Sequence, residues 1–203
     1  VGVAQATAAL GELYALLGRL DEAADLLASA RATLHASGSK RSEANCYAWL
    51  TRTHLDAGRL DGAYAAARAA ADLADEIGAP EQQAAAQYAL ALVHESRGDH
   101  TGAIRLYEAA LTMADRIGIQ HSVGEARLGL ATAHHGRGAQ QTALAHASEA
   151  FALAQRAGYA VIEGRALTIL GQVHHRLGDT ARALDLARRA LANHHRTGYR
   201  IGE

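Results

Sequence analysis

Aromatic residues are scarce in this 203-residue chain, at 4%, and proline occurs once, at Pro80. With so few aromatic and β-branched residues to furnish a pleated surface, a sheet-based core is disfavoured. With one proline, long stretches are free to be helical. Cysteine is also reduced to one residue, Cys46, so no intrachain disulfide can form. A cytoplasmic setting is the expectation from that. Neither sign of charge dominates, with Lys+Arg 20 against Asp+Glu 21. The basic stripe of a nucleic-acid binder is therefore missing, and no direct nucleic-acid contact is expected. No apolar run approaches the roughly 20 residues that span a bilayer, so no membrane partner is expected either. The chain starts at Val1 and shows no signal peptide. It reads as an excised fragment, for which a missing targeting segment carries no weight.

What the chain has is alanine, leucine and a strict period. Gly18, Gly58, Gly98, Gly138 and Gly178 recur every 40 residues, and so do Gly38, Gly78, Gly118, Gly158 and Gly198. Leu10, Leu50, Leu90, Leu130 and Leu170 form a further column, as do Ala23 with its four equivalents and Ala30 with its four. Within each period, apolar residues such as Ala6, Leu10, Leu13 and Leu17 fall on one helical face. Helix A is expected near residues 2–17 and helix B near 20–37, repeated five times. The column glycines suit helix C-termini, where a positive φ is strained for any residue with a Cβ. Asp99 and Asp179 stand where an N-cap oxygen is useful, and Pro80 stands where a missing N–H costs nothing.

An isolated helix pair cannot bury its apolar face, but a stack of pairs can. The expected fold is therefore all-α: a right-handed α-solenoid of five antiparallel helix pairs in one domain, 1–203. The repeats run 1–40, 41–80, 81–120, 121–160 and 161–200, with 201–203 beginning a truncated sixth. Residues Leu10, Gly11, Tyr14, Gly18, Ala23 and Ala30 follow in order the signature of the tetratricopeptide repeat, which this chain resembles throughout. Leu170, Gly171, Gly178, Ala183 and Ala190 repeat most of it. The period of 40, in place of 34, looks like the long-repeat subclass of kinesin light chains, spindle-orientation adaptors and quorum-sensing receptors. The composition and the segment 163–167 look most like the C-terminal arrays of SARP-type and STAND-type transcriptional regulators.

The resemblance implies a concave groove lined by helices A. Its rows would be those of residues 5, 8, 9, 12 and 15. Large apolar groups then fall at Trp49, Tyr88, Leu92, Leu128 and Ile169, flanked by Asn45, Arg52, Arg165 and Gln172. An exposed apolar stripe marks an interface, and the polar groups suit a peptide backbone or carboxylate. The alternative is that the apolar residues only pack between adjacent helices A. The groove has no lysine, so the carboxylate clamp of chaperone adaptors is not matched.

Chemical readings are weak. His54, His94, His134 and His174 align with Tyr14 in one column, which reads as packing. The pairs His134-His135, His174-His175 and His194-His195 point about 100° apart on a helix, so a pair cannot chelate one ion. His94-Glu95 lacks the second histidine of a zinc-protease motif, and Cys46 aligns with small packing residues. No catalytic, metal or cofactor site is expected. The function expected is a protein- or peptide-binding module, the sensor part of a larger transcriptional or signalling protein. The partner would be another protein or a domain of the same one. The alternative is a scaffold that self-associates through uncapped ends: Val3, Ala6, Leu10 and Leu13 at one, Leu184, Ala187 and Leu191 at the other.

Overall fold

The computed structural model describes residues 1–199. The sixth-repeat start expected at 201–203 lies outside the described residues. Ten helices follow one another: α1 (Gly2–Leu16), α2 (Leu20–Ala36), α3 (Lys40–Asp56), α4 (Leu60–Ile77) and α5 (Pro80–Ser96), then α6 (His100–Ile117), α7 (Gln120–Gly136), α8 (Gln140–Ala157), α9 (Ala160–Arg176) and α10 (Thr180–Thr197). There is no strand among the described residues. Odd-numbered helices are the A helices and even-numbered ones the B helices. Each helix packs on its neighbours in sequence, and α1, α3, α5, α7 and α9 also touch one another in that order. The chain is therefore an α-solenoid with the A helices forming its inner layer.

The turns explain why the pairs are antiparallel. All ten column glycines have positive φ, from 64° at Gly78 to 84° at Gly178. At the first turn the Gly18 N–H donates to the Ala15 carbonyl at 3.0 Å, and the Arg19 N–H reaches back to Tyr14 at 2.9 Å. This double closure satisfies two of the orphan carbonyls at the helix end. The same pattern recurs at Gly98, where Asp99 N–H donates to His94. The next helix then starts with a cap: Asp99 accepts from Gly102 N–H at 2.9 Å, and Asp179 accepts from Arg182 N–H at 3.1 Å. Pro80 opens α5 at its first turn.

The histidine column belongs to this turn. The residue at each of its positions lies five before the one that leads into helix B, and the two side chains meet in four repeats. Arg19 lies over the Tyr14 ring at 4.0 Å, Arg59 donates to His54 Nδ1 at 3.1 Å, and His94 Nδ1 is 2.8 Å from Asp99. His174 and Asp179 are 3.6 Å apart. His134 is the exception and instead stacks on His146, with ring centroids 5.7 Å apart. The column therefore braces the turn between the helices of one pair.

Alanine sets the spacing of the stack. Ala23, Ala63, Ala103 and Ala143 are wholly buried, and Ala30, Ala70, Ala110 and Ala150 nearly so. Small side chains at these rows let helix axes approach closely, and leucines such as Leu27, Leu34 and Leu130 fill the gaps. Cys46 is one more small buried residue, its thiol pushed up to about 11 by burial and then by Glu12. At Gly129, in the core, even alanine is too large. A Cβ on Gly129 would stand 2.3 Å from the ring of the fully buried Tyr107.

The left-handed turns yield a direct prediction. A Cβ at Gly98 or Gly138 meets nothing within 4 Å, so backbone strain is the only penalty for a larger residue. Gly98→Val and Gly138→Val should each destabilise the fold by roughly 1–2 kcal/mol. Chemical denaturation that shows no change for both would contradict the strain.

Candidate functional site

The inner layer carries one well-formed cavity, of about 350 Å³. It is lined from α3 by Trp49, Arg52 and Asp56, from α5 by Tyr88 and Leu92, from α7 by Glu125 and from α9 by Arg165. Ala15 and Leu16 of α1 and Tyr199 just beyond α10 line it as well. The array thus curls far enough for its first helix and its last described residue to share a cavity. A Cβ on Gly198 would lie 3.5 Å from Leu17 Cδ2, which marks the same approach.

A polar chain crosses this cavity. Arg165 Nη1 donates to both Glu125 carboxylate oxygens at 2.6 Å. The Tyr88 hydroxyl donates to Glu125 Oε2 at 2.6 Å and accepts from Arg52 Nη1 at 3.2 Å. Arg52 Nη2 reaches the Tyr199 hydroxyl at 3.5 Å, and Arg52 Nε stands 3.7 Å from Asp56 Oδ2. The side chains of Arg52, Glu125 and Arg165 retain only 20%, 16% and 17% of their exposure. Glu125 shows what decides its charge. Burial alone would raise its pKa, but Arg165, Arg52 and the Tyr88 hydroxyl overcome that and hold it at about 2. Burial and the adjacent Glu125 carboxylate push the Tyr88 phenol up to about 12.

Glu95 on α5 lies in a similar setting with the opposite result. Its Oε2 accepts from the Tyr107 hydroxyl at 2.6 Å, while its buried Oε1 has no hydrogen-bond partner. Burial outweighs the Tyr107 hydrogen bond and lifts its carboxyl to about 7.

The structure brings together five of the nine residues expected in the groove: Trp49, Arg52, Tyr88, Leu92 and Arg165. It does not place Leu128 and Ile169 there. Leu128 has no exposed surface and Ile169 is buried, both within the core cluster of α7, α8, α9 and α10. Neighbouring A helices pack side by side, so rows 8 and 9 face the next helix at that end of the array and not the open groove. For these two positions the packing alternative is the correct one. Asn45 and Gln172 are exposed and lie outside the cavity lining. Polar lining residues that the sequence reading did not single out are Asp56, His121, Ser122 and Tyr199, while Glu125 fell in groove row 5 without being named as a site residue. Glu125 had a legible signal, since it stands 40 residues before Arg165 in the same row, one repeat below it.

Among the described residues no group of three or more His, Cys, Asp or Glu could hold a metal ion. No helix among them is long and apolar enough to cross a membrane.

A solenoid of glycine-closed helix pairs with a polar-threaded inner cavity defines the class of helical-repeat arrays. Two profiles of the tetratricopeptide repeat match this chain, one over residues 82–156 and the other over 4–29 and 164–189. The chain is a tetratricopeptide-repeat array. No curated protein sequence matches it. Its fold is similar to that of a Rap protein complexed with Competence and Sporulation Factor: TM-score 0.73, 14% identity, covering 99% of this chain and 61% of that one. It is also similar to aspartyl phosphate phosphatase F from Bacillus subtilis: TM-score 0.71, 16% identity, covering 98% and 54%. A STAND signal-transduction ATPase with a tetratricopeptide-repeat sensor, from Pyrococcus horikoshii, gives TM-score 0.70 and 15% identity, covering 93% and 29%. The chain thus spans between about a third and three fifths of those proteins, and the likeness is one of fold.

The two carboxylates set a pH prediction. Glu95 is raised in the folded state, so its contribution to stability is fully present below its unfolded pKa near 4.5 and is lost as pH rises through about 7. Glu125 is depressed, so its contribution is present above about 4.5 and is lost as pH falls through about 2. Glu95→Gln should flatten the fall in Tm between these first two values and stabilise the protein at pH 8 by about 1–3 kcal/mol. An unchanged pH profile in the variant would contradict the assignment.

Proposed function

We propose that this array is a non-catalytic binding module, the sensor or regulatory part of a larger signalling or transcription protein. Its concave A-helix face takes up a segment of a partner protein or of another domain of the same polypeptide. The observation that carries this reading is the cavity in which Trp49, Arg52, Tyr88, Leu92 and Arg165, drawn from three different helices, converge. Half-buried aromatic and arginine side chains around a concavity are the composition of binding hot spots. Asn45 and Gln172, exposed outside that cavity, would extend the contact to a peptide backbone. The fold likeness to a Rap protein complexed with Competence and Sporulation Factor and to a STAND protein with a tetratricopeptide-repeat sensor supports the same reading.

Selection of peptides from a displayed library on the immobilised protein, followed by titration of the selected sequence, tests it. Trp49→Ala and Leu92→Ala should each weaken binding by more than about 1 kcal/mol, with a smaller effect on thermal stability. Loss of stability without selective loss of binding would assign these side chains to packing instead.

A second reading rests on the two outer faces. Leu10 and Leu13 are exposed on α1, although the same rows are buried as Leu50 and Thr53, Leu130 and Ala133, and Leu170 and Val173. Leu184 and Leu191 are exposed on α10, where their equivalents on α6, Ile104 and Leu111, are buried and half-buried, although Tyr64 in the Leu184 row is exposed too. These rows belong to the interface between successive repeats, and at both ends they stand uncovered among the described residues. Head-to-tail stacking of copies would cover both, and apolar burial at about 25 cal/mol per Å² favours it before the cost of association. Sedimentation should then show mass rising with concentration, reversed by Leu184→Glu. A strict monomer at high concentration would remove this reading.

A further inference from the structure

The two guanidinium groups that share Glu125 are not equally served. Arg165 has both carboxylate oxygens at 2.6 Å. Arg52 stands 3.6 Å from Glu125 and 3.7 Å from Asp56, so no carboxylate oxygen among the described residues is within hydrogen-bond distance of it. Its polar contacts are two neutral phenols, Tyr88 at 3.2 Å and Tyr199 at 3.5 Å. A charge-assisted guanidinium–carboxylate bond runs about 2.7–2.9 Å and is frequently bidentate, so the cation is held short of the anion it is built to receive. Glu125 cannot supply it, being taken up by Arg165 and the Tyr88 hydroxyl. Trp49, Leu92, Ala84, Ala85 and Ala89 supply the apolar part of the cavity wall, beside the polar Asp56, His121 and Ser122.

We propose that this cavity binds a small apolar carboxylic acid, its carboxylate on Arg52 and its hydrocarbon body against Trp49 and Leu92. Size favours a free acid over a peptide end. The cavity, at about 350 Å³, is at the small end of the range for ligand sites, roughly 300–1,000 Å³. Tyr199, itself buried, lines the cavity together with Ala15 and Leu16 of α1. The ligand carboxylate would take the place of the long Tyr199 contact. This goes beyond the partner-binding reading and names a small-molecule ligand for the same cavity. The two readings share Trp49, Arg52 and Leu92, and the comparison of acid, amide and pentapeptide distinguishes them.

Trp49 is the only tryptophan in the sequence and lines the cavity, so its fluorescence reports this site alone. The probes are the straight-chain carboxylates from acetate to octanoate and 3-phenylpropanoate, each beside its primary amide, and a pentapeptide ending in phenylalanine with a free C-terminus. The longer acids and 3-phenylpropanoate should shift Trp49 emission saturably, with each amide at least about tenfold weaker, as expected for loss of one charge-assisted contact. Arg52→Gln should erase the preference for acid over amide, and Arg156→Gln, at an exposed position on α8, should keep it. The wild-type comparison of acid with amide stands even if Arg52→Gln does not fold. No response to any acid, or equal response to acid and amide, would overturn the proposal. Tighter binding of the pentapeptide than of the free acids would overturn the small-acid assignment and place a peptide terminus there.

Discussion

Every feature of this molecule depends on ten turns in which a glycine holds a left-handed conformation. A residue with a Cβ is strained there, and the helix would run on or splay. All ten take nearly the same φ, and the period of 40 is kept without insertion or deletion. Constant period means that one row of the sequence becomes one line along the solenoid. Alanine at rows 23 and 30 then turns each B helix into a flat, closely approached surface. The stack needs no large residues to fill it, which is why so few aromatics suffice.

The same regularity is what creates the inner cavity. Residues one period apart are stacked neighbours, so Glu125 and Arg165, though 40 positions apart, meet at 2.6 Å. A buried ion pair is costly to desolvate and gives little net stability by itself. Here it is tolerated because Tyr88 supplies a further hydrogen bond and Arg52 a second positive charge. Tyr88 also packs against Tyr107 with centroids 5.5 Å apart, which ties the polar chain to the core beneath. Tyr107 fits only because Gly129 leaves room for its ring.

Much of this was legible in the sequence, and the reasons differ by residue. The helix limits follow from the glycine columns and fall within two residues of expectation, with α1 ending at Leu16, α2 at Ala36 and α3 starting at Lys40. Asp99, Asp179 and Pro80 act as their types and positions dictate. The histidine column is structural, as its periodicity implied, though its bracing of the turn emerges only from contacts. The groove was half legible. Row position places a residue on the inner layer, but it does not say how tightly neighbouring A helices close. That tightness decides whether Leu128 faces open space or the core, and it is a sum over many alanine contacts that no single residue announces. Tyr199 was out of reach for the same reason, since its place in the cavity depends on the curvature accumulated over five pairs.

Glu95 and Glu125 show how one buried environment yields two opposite acids. They stand on the neighbouring A helices α5 and α7, both accept a tyrosine hydroxyl at 2.6 Å, and both are driven towards the neutral form by burial. The difference is the guanidinium at bonding distance, which Glu125 has and Glu95 lacks. A phenol hydrogen bond alone does not hold a carboxylate ionised against burial, whereas an arginine contact does. At neutral pH the cavity therefore carries a fixed Glu125 anion committed to Arg165. Arg52 is left with carboxylate oxygens no nearer than 3.6 Å, from Glu125, and 3.7 Å, from Asp56. The capacity of the cavity for an incoming carboxylate follows from that unequal division of one anion between two cations.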